Sequence, residues 1–150
     1  MSFQRLRDII VQVRRFHTEL SAHFHALNDT EQQERVRMLL DYLSRHESHM
    51  ARVLKKFEQD ASPKVLDTWF QYTVPFDPEA EKLPPHPNLS MEEVIDRATR
   101  FDECLVDLYK TLALESGLND IKEVCEQLVL LEESERSGRS RSIAGLQQDM

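Results

Sequence analysis

The chain has few of the residues that interrupt helices. It contains only three glycines, Gly117, Gly138 and Gly145, and its six prolines all lie between residues 63 and 87. Glycine and proline are the two residue types that most disfavour a helix interior, so the rest of the sequence is free to form long helices. We therefore expect two helical halves separated by one proline-rich segment.

Cysteines and long hydrophobic runs are also scarce. The two cysteines, Cys104 and Cys125, match neither a disulfide framework nor a Cys-x-x-Cys metal site. No apolar run approaches the ~20 residues that cross a bilayer, and no charged and apolar leader ends in small residues. These absences predict a cytoplasmic protein that does not associate with membranes.

Positive charge is in deficit, since the formal net charge is −8 at pH 7. Neutralising phosphates requires a clustered excess of lysine and arginine, so we expect no nucleic-acid partner. Arg136, Arg139 and Arg141 form one local basic run. We interpret this run as the solvated end of the last helix, where the helix dipole favours positive charge.

Four segments have apolar residues at spacings of three and four, which predicts amphipathic helices over 3–27, 31–59, 91–115 and 120–147. Thr30 with Gln33 and Ser90 with Glu93 have capping-box spacing and predict the starts of the second and third helices. The proline-rich connection, 61–89, is long enough to follow a helix of roughly 40 Å. The pattern predicts one all-α domain, a four-helix bundle with a long crossover between helices two and three.

The apolar stripes are interrupted near their midpoints by five residues of types that ligate metals: His17, Glu47, Asp102, Glu132 and Glu135. Midpoints of matched helices lie at one depth in a bundle, so these side chains are predicted to meet in one layer. Buried carboxylates without a partner cost several kcal/mol, so the layer requires positive charge. Either a metal ion supplies it, or the acids bond to His17, His46 or an arginine without metal.

The third and fourth helices resemble those of the ferritin-like superfamily, in particular rubrerythrin-like bundles with a carboxylate-bridged di-metal site. In that family two helices carry Glu followed seven residues later by Tyr, and the other two carry Glu-x-x-His. Asp102 stands seven residues before Tyr109, with Asp in the Glu position. Glu132 stands three residues before Glu135, with Glu in the His position.

The first two helices match the family pattern less closely. His17 and Phe24 have the Glu-to-Tyr spacing with both residues changed, and Glu47 is followed at the third position by Met50 in place of His. Because a thioether is a soft, weak donor, that corner of a di-iron site would lack a ligand. The long connection between the second and third helices also resembles the ferritin-like crossover, so the likeness covers most of the chain.

The resemblance implies a site for iron or manganese, with Tyr109 and His46 behind the ligands. It would be built from the five interrupting residues, His17, Glu47, Asp102, Glu132 and Glu135. The chemistry it implies is oxidation of iron, peroxide reduction or oxygen chemistry with a small-molecule oxidant, and whether the chain is an enzyme stays open. The competing hypothesis is a metal-free bundle that acts as an interaction or oligomerisation module.

We also expect a homo-oligomer, in the simplest case a dimer. The proline-rich crossover carries three aromatic residues, Trp69, Phe70 and Phe76. They either cover the bundle or form a dimer contact, and the pattern alone does not choose between the two.

Overall fold

The computed structural model describes residues 2–72, 83–115 and 117–148. The chain is mostly helical, which confirms the all-α prediction apart from one small sheet. Its helices are α1 (Leu6–Thr30), α2 (Glu34–Asp60), α3 (Pro63–Leu66), α4 (Met91–Glu115) and α5 (Asn119–Gln148), and its strands are β1 (Ser2–Arg5) and β2 (Trp69–Tyr72). Within the described residues, no helix combines the length and apolarity needed to cross a membrane.

The four long helices share one hydrophobic core. α1 packs mainly on α2, and α4 packs mainly on α5. The two pairs meet where Phe16 of α1 stacks on Phe101 of α4, with ring centroids 4.1 Å apart. Each long helix presents the apolar stripe that its three-and-four spacing predicts, and these stripes join in a single buried cluster. Polar residues on the same stripes are therefore carried into the interior.

The predicted start of the first helix at residue 3 is wrong, because residues 2–5 form a strand. β1 pairs antiparallel with β2 in a register that places Phe3 opposite Gln71 and Arg5 opposite Trp69. The helix begins at Leu6, whose backbone nitrogen donates to the carbonyl of Thr68 over 2.9 Å. Residues 2–5 find their hydrogen bonds in a partner strand more than sixty positions away, which a local pattern does not reveal.

The crossover aromatics are divided between the two faces of this sheet. Successive residues of a strand point to opposite faces. Phe70 is buried and belongs to the core, whereas Trp69 is 62% exposed. Phe70 therefore covers the bundle, Trp69 lies on the surface under the guanidinium of Arg5, and Phe76 lies outside the described residues.

The capping box predicted at Thr30 and Gln33 is wrong. α1 continues through Thr30, and α2 begins only at Glu34. The turn is organised instead by the buried carboxylate of Glu31, which accepts hydrogen bonds from the backbone nitrogens of Gln32 and Gln33, each over 3.1 Å.

The start and extent of α4 follow the prediction. The Ser90 hydroxyl accepts a hydrogen bond from the backbone nitrogen of Glu93 over 3.0 Å, and the helix spans the predicted residues 91–115. α5 continues without interruption through Gly138 to residue 148. Its unbroken course keeps residue 139 on the stripe that contains Glu132, seven positions earlier, and thus turns that residue toward the core.

Candidate functional site

Four of the five predicted ligand residues face the interior, each from a different helix. His17 of α1, Glu47 of α2, Asp102 of α4 and Glu132 of α5 are all at most 4% exposed. Glu135 is placed differently. It is half-buried, and its carboxylate lies 3.7 Å from the Nε2 atom of the exposed His49 on α2. Glu135 therefore lies at the surface, beside α2, and not in the buried layer.

His17 lies between two carboxylates. Its Nδ1 atom is 2.5 Å from Oε2 of Glu47, and its Nε2 atom is 3.5 Å from Oε1 of Glu132. Burial by itself lowers the pKa of His17, but the negative charges of Glu47 and Glu132 outweigh this effect and raise it to about 10. The ring is therefore an imidazolium at neutral pH, a positive charge shared by α1, α2 and α5.

Asp102 has a cationic partner of its own, because its carboxylate contacts the guanidinium of Arg139. Both side chains are buried. Burial raises the pKa of Asp102 to about 7, Arg139 opposes this rise, and the charges of Glu47 and Glu132 add to it. The layer thus holds three carboxyl groups and two cationic side chains, and burial makes Asp102 the carboxyl group that takes up a proton most readily near neutral pH.

The placement of Arg139 corrects the interpretation of the basic run as a solvated helix end. Arg139 is only 3% exposed, while Arg141 in the same run is exposed. The signal that would have found Arg139 is its spacing of seven residues from Glu132 on a helix that continues past Gly138. A basic residue near a helix end is ordinarily solvated, so its residue type favours a surface position even where its spacing favours the buried stripe.

Tyr109 and His46 were predicted to lie behind the ligands, and the contacts of their side chains are as follows. The Tyr109 ring is fully buried, but its hydroxyl has no hydrogen-bond partner among the described residues, and so does not bond to Asp102. Burial raises the pKa of that hydroxyl, and the charge of Glu132 adds to the effect. His46 is half-buried and stacks on the Tyr42 ring at a centroid distance of 6.2 Å. Burial lowers its pKa, which favours a neutral ring.

Several buried polar atoms in the layer lack hydrogen-bond partners in the described part of the chain. They include His17 Nε2, Glu132 Oε1 and Glu47 Oε1. Two donors of one metal ion at ligand distances of ~2.1 Å lie roughly 3 to 3.5 Å apart. The 3.5 Å separation of His17 Nε2 and Glu132 Oε1 is compatible with that geometry. Glu47 on Nδ1 would then be the carboxylate that orients a ligating histidine.

This donor set does not fit the di-metal site that the ferritin-like resemblance implies. Asp102 is paired with Arg139 and Glu135 lies at the surface, so two of the five implied ligands are engaged elsewhere. Across residues 2–72, 83–115 and 117–148, no group of three or more His, Cys, Asp or Glu side chains is arranged to hold a metal ion. What remains is one histidine flanked by two carboxylates.

No match to the chain was found among protein-family models, curated proteins or solved structures. A cation between acids from separate helices can hold those helices together, or it can exchange for another cation.

Proposed function

We propose that this protein is a metal-free helical bundle that acts through its surface as an interaction or oligomerisation module. The observation that carries the proposal is the origin of the positive charge in the buried layer. His17 and Arg139, two side chains of the chain itself, contact the acids that a metal would otherwise neutralise. The carboxylates are therefore supplied with partners before any ion binds.

The protonation of His17 disfavours a metal at this position. A metal ion binds a neutral imidazole, so it must displace the proton from the ring. Because the charges of Glu47 and Glu132 raise the pKa of His17 to about 10, the ring holds its proton at pH 7 and the displacement lowers the apparent affinity for a metal. Glu132 is the described acid that faces the Nε2 atom of His17, and a site of two protein ligands recovers little of such a loss.

The proposal of a surface role rests on apolar side chains that the fold leaves in solvent. Leu114 on α4 and Leu130 on α5 are 83% and 64% exposed. Single exposed leucines are ordinary, but here both line one groove between the two helices. Clustered apolar surface of this kind is typical of a site that binds another protein.

A second candidate function is favoured by the unpartnered atoms that face each other in the layer. His17 Nε2 and Glu132 Oε1 would bind one divalent ion, iron or manganese, with Glu47 orienting the imidazole. When bound, such an ion supplies one-electron chemistry toward oxygen or peroxide. The chain's own residues would bind and orient it, and the surrounding core would exclude water.

Metal analysis separates the two candidates. The wild type and two variants, Glu132→Gln and Glu133→Gln, are purified without chelator from cells supplied with iron and manganese. Glu133 is the exposed neighbour of the buried Glu132 and serves as the matched control. The metal-free bundle predicts far less than one metal per chain in all three proteins. Nearly one iron or manganese per chain in the wild type and in Glu133→Gln, with loss in Glu132→Gln, would establish the metal site instead.

A further inference from the structure

The outer face of the α4 and α5 pair carries an apolar groove with charged edges. Its floor and walls are Ala113, Leu114, Val129 and Leu130, and its charged residues are Lys110, Lys122 and Glu126. We call this surface the α4–α5 groove. Leu114 lines it from α4 and Leu130 from α5, and both are exposed.

The charged side chains around this groove have both signs, and within the described part of the chain they form no ion pairs. Lys110, Lys122 and Glu126 are all exposed. In the described part of the chain, none of the three lies within ion-pair distance of an opposite charge. A surface of one sign would require a partner of the other sign. A surface with both signs can pair with a copy of itself, because in a twofold dimer a contact of residue i with residue j of the other copy is repeated as a contact of j with i.

We propose that a second copy of this chain binds at the α4–α5 groove and forms a twofold-symmetric dimer. Leu114 and Leu130 form its apolar centre, and Glu126 of each copy pairs with Lys110 or Lys122 of the other. Burial of exposed leucine provides the driving force, and the charge pairs select the orientation. This inference rests on the proposed function, since it names the partner through which the module acts.

Charge reversal gives a test that depends on the pairing itself. One variant carries Glu126→Lys and the other carries Lys110→Glu with Lys122→Glu. Each alone places like charges across the twofold interface, and an equimolar mixture restores opposite charges at every pair. We expect a dimeric wild type, monomeric variants and a dimeric mixture, measured by sedimentation equilibrium. All three substituted side chains are exposed, and circular dichroism checks that the variants keep the fold.

Two single substitutions test the apolar part of the surface. Leu130→Glu is expected to give a monomer. Met38→Glu, at a 48% exposed position on α2, is the matched control and is expected to leave the dimer intact. A monomeric wild type overturns the inference, as does a dimer that survives both charge-reversal sets or that is lost on Met38→Glu.

The metal content of the same samples keeps the two proposals distinguishable. If the wild type is a metal-free monomer, the dimer proposal is wrong and the metal-free module stands, with a different protein as its partner. If the wild type is a dimer with close to one metal per chain, the metal-free proposal is wrong and the dimer proposal stands.

Discussion

At the scale of single residues, His17 decides the chemistry of the layer. Its ring contacts Glu47 and lies within reach of Glu132, and all three side chains are inaccessible to solvent. Water cannot stabilise the carboxylates at this depth, so their ionised forms depend on the imidazolium. Arg139 has the same role toward Asp102.

Replacing His17 by phenylalanine is expected to lower the free energy of unfolding by about 3–5 kcal/mol, because Glu47 and Glu132 are left without a buried cation. The measurement is urea denaturation at pH 7. His25→Phe, at an exposed position of the same helix, is the control and should change stability little. A loss for His17→Phe no larger than that of the control would show that the acids do not depend on the imidazolium.

At the scale of elements, Glu31 connects parts of the chain that are distant in sequence. Its Oε1 atom accepts from the side chain of Gln33 over 3.2 Å, in addition to the backbone at the start of α2. Its Oε2 atom accepts from the backbone nitrogen of Leu89 over 3.0 Å. One buried carboxylate thus binds the turn that precedes α2 and holds the end of the crossover just before α4 begins.

Glu31→Ala is expected to lower the free energy of unfolding by about 1–3 kcal/mol, because the buried backbone nitrogen of Leu89 loses its acceptor. Gln32→Ala, at the exposed neighbouring position, serves as the control. Denaturation measures the loss, and amide hydrogen exchange at Leu89 locates it. Unchanged protection at Leu89 in Glu31→Ala would contradict the role assigned to this carboxylate in holding the crossover.

At the scale of the whole molecule, the buried layer links stability to pH. The pKa of Asp102 rises from 3.8 to about 7 on folding, and that of His17 rises from 6.5 to about 10. In both cases the folded protein binds a proton more tightly than the unfolded chain does. The stabilisation from Asp102 is complete below pH 3.8 and is lost as the pH rises through 7. That from His17 is complete below pH 6.5 and is lost as the pH rises through 10.

The wild type is therefore expected to lose about 3 kcal/mol of its free energy of unfolding between pH 6 and pH 9 through His17. His17→Gln removes the imidazolium, so its plot of unfolding free energy against pH should differ in slope from that of the wild type over this range. Nitrogen NMR of the wild type offers an independent check, in which His17 keeps both ring protons at pH 8. Equal pH dependence of stability in the two proteins, or a neutral His17 ring at pH 8, would contradict the assignment of His17 as an imidazolium.

The sequence by itself determined the long helices and the burial of four polar residues. Apolar spacing is a local property that each segment carries alone, so α4 was predicted over its observed range, 91–115. A residue on an apolar stripe follows that stripe into the core. This is why His17, Glu47, Asp102 and Glu132 could be assigned to the interior from the pattern.

Only the tertiary structure decided which partner each buried charge takes. Arg139 reaches Asp102 because α5 runs unbroken past Gly138 and packs along α4, whereas Glu135 turns to His49 at the surface. The pairing of residues 2–5 with residues 69–72 is likewise non-local. The spacing of apolar residues indicates which face of a helix is buried. Contacts between helices also depend on the rotation and axial offset of one helix relative to another, which only the packed core specifies.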